Sequence, residues 1–236
     1  MIDVANTPVL ILAGGKATRL GDIARSVPKA LVPVAGKPFL DHQLEDLARQ
    51  GVREVVMCIG HLADQIRAHA GNGSRYGLRV SYSEDGPLPL GTGGAVRQAL
   101  PLFGEACFVL YGDSLLDVSY TEALAALGSA LGVMTVFANA NSFDTSNVLW
   151  RNGRLVPYSK TARTPDMAHI DYGLSVLRRE AVERIPTDRA TDLAELYTVL
   201  VERGEMVGHE VFNRFYEIGS PAGLKETEAF VSRRVA

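Results

Sequence analysis

Three short apolar runs, Val9 to Ala13, Val55 to Ile59 and Phe108 to Tyr111, each end at a glycine. Runs of this length have the pattern of strands buried on both faces. Pro38 opens a segment in which Leu40, Leu44, Leu47 and Ala48 share one helical face, and Gly51 stops it. His61 to Ala70, closed by Gly71, reads as a second helix, and Leu78 to Ser83 as a further strand. Gly91 to Gly94 reads as a glycine loop leading into a helix through Leu100. Strands alternating with helices at this spacing imply an α/β fold with a mostly parallel central sheet flanked by helices. Ligands of such sheets bind beyond the carboxyl ends of the strands. Here those ends carry Gly14-Gly15, Glu84 and Gly112-Asp113.

The second half changes character. Leu131 to Ala138 and Ile170 to Leu177 read as strands, and Asn147 to Trp150 and Leu155 to Tyr158 flank Asn152-Gly153, a two-residue hairpin signal. Asp192 is placed to cap a helix carrying Leu193, Leu196, Leu200 and Val201. Glu210 to Phe215 reads as extended, and Pro221 starts the last helix at its first position. With 236 residues, 47% of them apolar, and no repeat or linker, a single domain over 1–236 is expected, its parts dividing near residue 118. The net charge of −3 is spread along the chain, which argues against a nucleic-acid partner. No apolar run approaches the ~20 residues of a membrane helix. The start lacks signal-peptide character, so a soluble, cytoplasmic protein is expected. Cys58 and Cys107, both inside apolar runs, read as buried reduced thiols, and the five histidines show no ligand spacing.

The candidate chemistry begins with Leu12-Ala13-Gly14-Gly15-Lys16-Ala17-Thr18-Arg19-Leu20, backed by Pro28-Lys29. Glycines after a strand let backbone N–H groups approach a phosphate or a base. The planar fork of Arg19 suits two phosphate oxygens at once, and Lys29 adds a compact charge. The stretch is neither a Walker loop nor GxGxxG, which argues against a nicotinamide cofactor. Asp113, at a buried strand's end, is a candidate ligand for Mg²⁺, which keeps waters and binds phosphate oxygens. Glu217, in Tyr216-Glu217-Ile218-Gly219-Ser220-Pro221, is a candidate second carboxylate. Glu84 is a candidate acceptor contact or an exposed loop acid, and Asp171 and Asp192 carry the same two readings.

Taken together, LAGGKATRL…PKALVPVAGKPFL, PLGTGGA, YGD and EIGSP resemble the sugar-1-phosphate nucleotidyltransferase family over nearly the whole chain. In size and order the chain looks most like short bacterial members, the N-acetylmuramate 1-phosphate uridylyltransferases and heptose 1-phosphate guanylyltransferases. The C-terminal left-handed β-helix of bifunctional relatives is not expected here. The resemblance implies a Rossmann-like sheet with a small mixed-sheet lobe over the active-site cleft. It also implies Mg²⁺-dependent transfer of a nucleotidyl group from an NTP to a sugar 1-phosphate, giving an NDP-sugar and pyrophosphate, in a monomer or homodimer.

Roles carry over by position. Leu12, Ala13, Gly14, Gly15 and Thr18 belong to the nucleotide loop. Arg19 and Lys29 match the basic pair that binds the triphosphate and stabilises the transition state. Gly91, Thr92, Gly93 and Gly94 match the segment beside base and ribose. Asp113 matches the first metal aspartate and Lys160 the lysine that holds the sugar's phosphate. Tyr172-Gly173 resembles the strand lining the sugar pocket. Residues up to about 118 thus form the nucleotide-binding part, and 119–236 the acceptor-binding part.

Two departures qualify this picture. Glu217 stands where the family usually has Asp, and the extra methylene moves the carboxylate by over ~1 Å. Mg²⁺ tolerates little distortion, so either the backbone retreats or a water intervenes. Ser159 stands where Glu usually precedes the phosphate-binding lysine, and a serine reaches less far. This leaves open a cytidylyltransferase acting on an alditol or other non-sugar phosphate. A non-catalytic nucleotide-binding subunit is a further alternative. A glycosyltransferase is disfavoured by the lone Asp113 in place of a DxD motif.

Overall fold

The first half of the chain builds the parallel part of the sheet. A computed structural model describes residues 2–15, 26–151 and 153–235. It begins with β1 (Val9–Leu12), the short hairpin β2 (Pro33–Val34) and β3 (Lys37–Pro38), and helix α1 (Phe39–Arg49). There follow β4 (Glu54–Ile59), α2 (Ala63–Ala70), β5 (Arg79–Glu84), α3 (Gly91–Gln98) and β6 (Ala106–Tyr111). β1 pairs in parallel with both β4 and β6, and β4 with β5, so the order is β6-β1-β4-β5. All four carboxyl ends therefore open on one edge.

The second half contains β7 (Ser114–Leu115), α4 (Tyr120–Ala125), β8 (Gly132–Ala138), β9 (Val148–Arg151), β10 (Arg154–Tyr158) and β11 (His169–Arg178). It ends with α5 (Arg179–Glu183), α6 (Leu193–Glu202), β12 (Met206–Val211), β13 (Tyr216–Glu217) and α7 (Pro221–Val235). β11 lies antiparallel against β6, and β8 antiparallel against β11. β9 and β10 extend one flank while β12 runs parallel to β8, giving nine strands in one sheet among the described residues. The mixed lobe of the second half thus grows out of the same sheet.

Side-chain alternation explains the layers. Val9 and Ile11 of β1 enter a core with Leu40 and Leu44 of α1 and Ile66 of α2. Leu10 enters the opposite core with Val96 of α3 and Leu196 and Leu200 of α6. Each such fully buried aliphatic side chain contributes about 1.5–3 kcal/mol. A third cluster of Val34, Phe39, Leu115, Ile218 and Val231 seats α7 against the β7–β13 pair. Cys58 and Cys107 are free and buried, as expected. Among the described residues no helix is long and apolar enough to cross a membrane.

Two expectations about elements need correction. Gly91 to Gly94 form the first turn of α3 rather than a loop. The carbonyl of Thr191 accepts the N–H groups of Gly93 at 2.8 Å and Gly94 at 3.3 Å. That tertiary contact offsets the ~1 kcal/mol helix penalty of glycine. The extended segment expected at Glu210 to Phe215 is instead β12, because parallel pairing with β8 begins at Met206↔Gly132 and ends at Val211↔Phe137. Asn152 of the hairpin lies outside the described residues, while Gly153 has the positive φ, 73°, that the turn requires.

Candidate active site

A cleft of about 270 Å³ opens at the carboxyl ends of the parallel strands. One wall is Leu12, Ala13, Gly14 and Gly15, and another is Gly91 and Thr92 at the start of α3. The loop after β1 is braced where the Ala13 N–H donates to the Cys58 carbonyl at 2.8 Å and Gly14 accepts from the His61 N–H at 3.3 Å. Thr18 and Arg19 lie outside the described residues.

The charged end of the cleft is made by three elements that are far apart in sequence. Lys29 follows Pro28 at the start of a 3-10 turn, Lys29–Leu31. Its Nζ lies 2.5 Å from Oδ2 of Asp113, with both side chains mostly shielded from solvent. Asp113 sits in the turn between β6 and β7, and its carbonyl accepts from the Ile218 N–H at 3.0 Å. β13 pairs antiparallel with β7 and sets Glu217 opposite Ser114. Sequence positions 29, 113 and 217 thus converge.

Gly219 marks the meeting point. A Cβ built there would lie 3.0 Å from Lys29 Nζ and 3.3 Å from Asp113 Oδ2, and would collide with Glu217 Oε2. The structure also shows how the longer acid fits. The Glu217 carboxylate folds back into its own turn, accepting from the Gly219 N–H and, at 2.7 Å, from the Ser220 hydroxyl. It occupies space over Gly223, where a Cβ would overlap Oε1. The glycines at 219 and 223 absorb the extra methylene. Asp113 lines the cleft and Glu217 does not, and the two carboxylates around Gly219 suit a divalent cation that keeps several waters. No all-protein cage of three or more His, Cys, Asp or Glu exists among the described residues.

Other expected residues fare differently. Gly93 is buried against Thr191 and Gly94 against Leu90, and neither is in the cleft lining. Their N–H groups are spent on the Thr191 carbonyl. Glu84 pairs with Arg67 at 2.9 Å and also lies outside the lining. Its neighbour Asp85 lines the cleft, and burial raises its pKa. Tyr172 is corrected: its ring packs among Phe137 and Phe215, and its hydroxyl accepts from the Asp117 N–H at 3.1 Å. Residues adjacent along a strand face opposite sides, so Asp171 points away from that aromatic cluster.

Asp171 accepts from the Gly173 N–H at 3.1 Å, and burial lifts its pKa to about 6. Gly173 packs against the ring of Tyr111, a cleft residue. The hydroxyls of Tyr111 and Tyr158 are buried without a hydrogen-bond partner among the described residues. Lys160 lies outside the cleft lining and pairs with Asp192, Nζ to Oδ1 at 3.0 Å. Ser159 turns to its own backbone, its hydroxyl accepting from the N–H groups of Thr161 at 3.3 Å and Ala162 at 2.8 Å.

Residues 8–143 match the family model described as nucleotidyl transferase. The chain is 33% identical over 233 residues to glucose-1-phosphate thymidylyltransferase of Streptomyces griseus, covering 94% of this chain and 65% of that protein. It is 38% identical over 121 residues to N-acetylmuramate alpha-1-phosphate uridylyltransferase of Neisseria meningitidis serogroup B, covering 51% of this chain and 52% of that protein. The chain therefore spans between half and two thirds of these relatives' lengths. In fold it is similar to the inositol-1-phosphate CTP transferase from T. maritima, with a TM-score of 0.79, 20% identity and 98% of each chain covered.

Proposed function

The chain belongs to the nucleotidyl transferase family, and from that premise we propose that it moves a nucleotidyl group from a nucleoside triphosphate to a sugar 1-phosphate, releasing pyrophosphate. The observation that carries this reading is the Lys29–Asp113 pair in the cleft beside Gly14 and Gly15, with Glu217 meeting that pair around Gly219. An ammonium and two carboxylates at the mouth of a parallel sheet suit a polyphosphate and its counter-ion. An oxygen of the acceptor's phosphate attacks the α-phosphorus, and pyrophosphate leaves from the opposite side. That oxygen is already ionised at neutral pH, so no general base is needed.

Catalysis is then positioning and charge stabilisation. Lys29 stabilises charge on the pyrophosphate side, a role shared with Arg19. Gly14 and Gly15 leave room for phosphate or base against the backbone. Lys160 anchors the acceptor phosphate. Asp113, with Glu217, is the pair that would hold Mg²⁺, which when bound supplies charge neutralisation for the reacting phosphates.

A second reading, a cytidylyltransferase for a non-sugar phosphate, is favoured by Ser159. Its hydroxyl is committed to the 159–162 turn, so the residue before Lys160 offers no carboxylate to a sugar hydroxyl. The likeness to an inositol-1-phosphate CTP transferase fold agrees with it. The test is a matrix of ATP, CTP, GTP, UTP and dTTP against phosphorylated sugars, inositol 1-phosphate and alditol phosphates, read by product mass. An NDP-sugar as the dominant product supports the first reading, and a CDP-linked polyol the second. No nucleotidyl product in any cell would refute both.

A further inference from the structure

Helix α6 begins with a capping box. The Ala194 N–H donates to Asp192 Oδ1 at 2.8 Å, and the Asp192 N–H donates to Glu195 Oε1 at 3.2 Å. Capping alone does not call for a charge, since asparagine and serine cap comparably well. The Asp192 carboxylate makes two further contacts. Oδ1 lies 3.0 Å from Lys160 Nζ and accepts from the Thr92 hydroxyl at 3.3 Å, and Oδ2 lies 3.4 Å from Lys160. The Thr92 hydroxyl in turn accepts from the Leu193 N–H at 2.8 Å.

The surrounding backbone holds this junction tightly. The Thr191 N–H donates to the Leu90 carbonyl at 2.9 Å, and its carbonyl takes the Gly93 N–H at 2.8 Å. Gly91 has φ of 75° and a Cβ there would sit 2.5 Å from the Thr191 carbonyl oxygen, so there is no slack between the segments. Thr92 lines the nucleotide cleft. Lys160 follows β10 in the other half of the chain. One carboxylate therefore joins the wall of the nucleotide cleft to the acceptor side.

We propose that Asp192 is a positioning residue for acceptor binding: its charge presents Lys160 at the edge of the nucleotide wall. The proposal rests on the reading of Lys160 as the acceptor-phosphate anchor. The pair is half exposed, and such ion pairs contribute little to stability. What the pair supplies is restriction of a long, flexible ammonium-bearing chain. An ammonium has three donors, so Lys160 can keep Asp192 and still bind an incoming phosphate oxygen.

Asp192→Asn separates the roles, because it keeps the cap and an acceptor for Thr92 but removes the charge. The assay uses the fastest triphosphate and acceptor pair of the matrix above. The acceptor KM is expected to rise about fivefold to twentyfold, with the triphosphate KM changed by less than about twofold. The thermal midpoint should stay within about 2 °C of wild type. In a Lys160→Ala background the same change should add less than about twofold, because the partner is already gone. An unchanged acceptor KM in Asp192→Asn, alongside a raised one in Lys160→Ala, would overturn the positioning role and leave the anchor standing. Equal rises in both KM values would make Asp192 a support of the nucleotide wall only. An unchanged acceptor KM in Lys160→Ala would remove the anchor, and the positioning role with it.

Discussion

Lys29 and Asp113 are 84 positions apart and meet at 2.5 Å. If they serve one transition state, removing either should cost far more than a surface ion pair. Lys29→Ala and Asp113→Ala are each expected to slow pyrophosphate release by about 10²–10³-fold with the fold intact, the range for losing one preorganised electrostatic contact. Circular dichroism checks the fold and a coupled phosphate assay the rate. Asp171 makes a different prediction. Its pKa, about 6, is raised by burial above the ordinary carboxylate value. From about pH 4 to 6 the native protein holds a proton that the unfolded chain gives up, so this residue lowers stability as pH rises. Asp171→Asn keeps an acceptor for the Gly173 N–H without that charge. Its stability relative to wild type should rise between pH 4 and pH 7 in urea titrations, and a flat difference would mean Asp171 is not strained by ionisation. Lys29, Asp113 and Glu217 could be singled out in the sequence as candidates from their places at turns and strand ends, and their joint role in a site is a proposal. Glu84 is the exposed acid of its second reading, and Tyr172 misled because adjacent residues of a strand face opposite sides and the sequence pattern alone did not specify the register.

The turn from β13 into α7 shows how a departure from a family pattern is absorbed locally. Glu217 needs the missing side chains of Gly219 and Gly223. Gly223→Ala should therefore push the carboxylate away from Asp113 and lower kcat by about tenfold or more, as expected when a preorganised contact is displaced. Adding Glu217→Asp shortens the acid by a methylene and should recover most of that loss. If the double variant is no better than Gly223→Ala, Gly223 serves helix α7 and not the carboxylate. Elsewhere the legible elements were those with local signatures, such as the apolar run of β1, the Asp192 cap and Pro221. The first turn of α3 was not, because the Thr191 carbonyl that stabilises its glycines comes from nearly a hundred residues away. The bounds of β12 are likewise set by its partner β8.

The two parts of the chain share one sheet through the β6–β11 pairing, and both contribute to the two main cores. They should unfold together. Trp150, the single tryptophan, packs over Gly208 of β12 and reports on the second half. Its fluorescence and the far-UV circular dichroism of the whole chain should give coincident denaturation midpoints. Separate midpoints would mean that the second half folds on its own. The α/β class was legible from alternation of apolar runs and helices, but the joining of the second half through an antiparallel β11 was not. No local pattern distinguishes a strand that extends a sheet from one that starts another. The cleft is proposed to bring a triphosphate and a phosphorylated acceptor together. The decisive measurement is pyrophosphate release by the wild-type protein with each substrate alone and with both, using acceptor whose phosphate oxygens carry ¹⁸O. Release should require both substrates, match the nucleotide product one to one, and leave all the label in that product. Release without acceptor, or label in the pyrophosphate, would contradict the account.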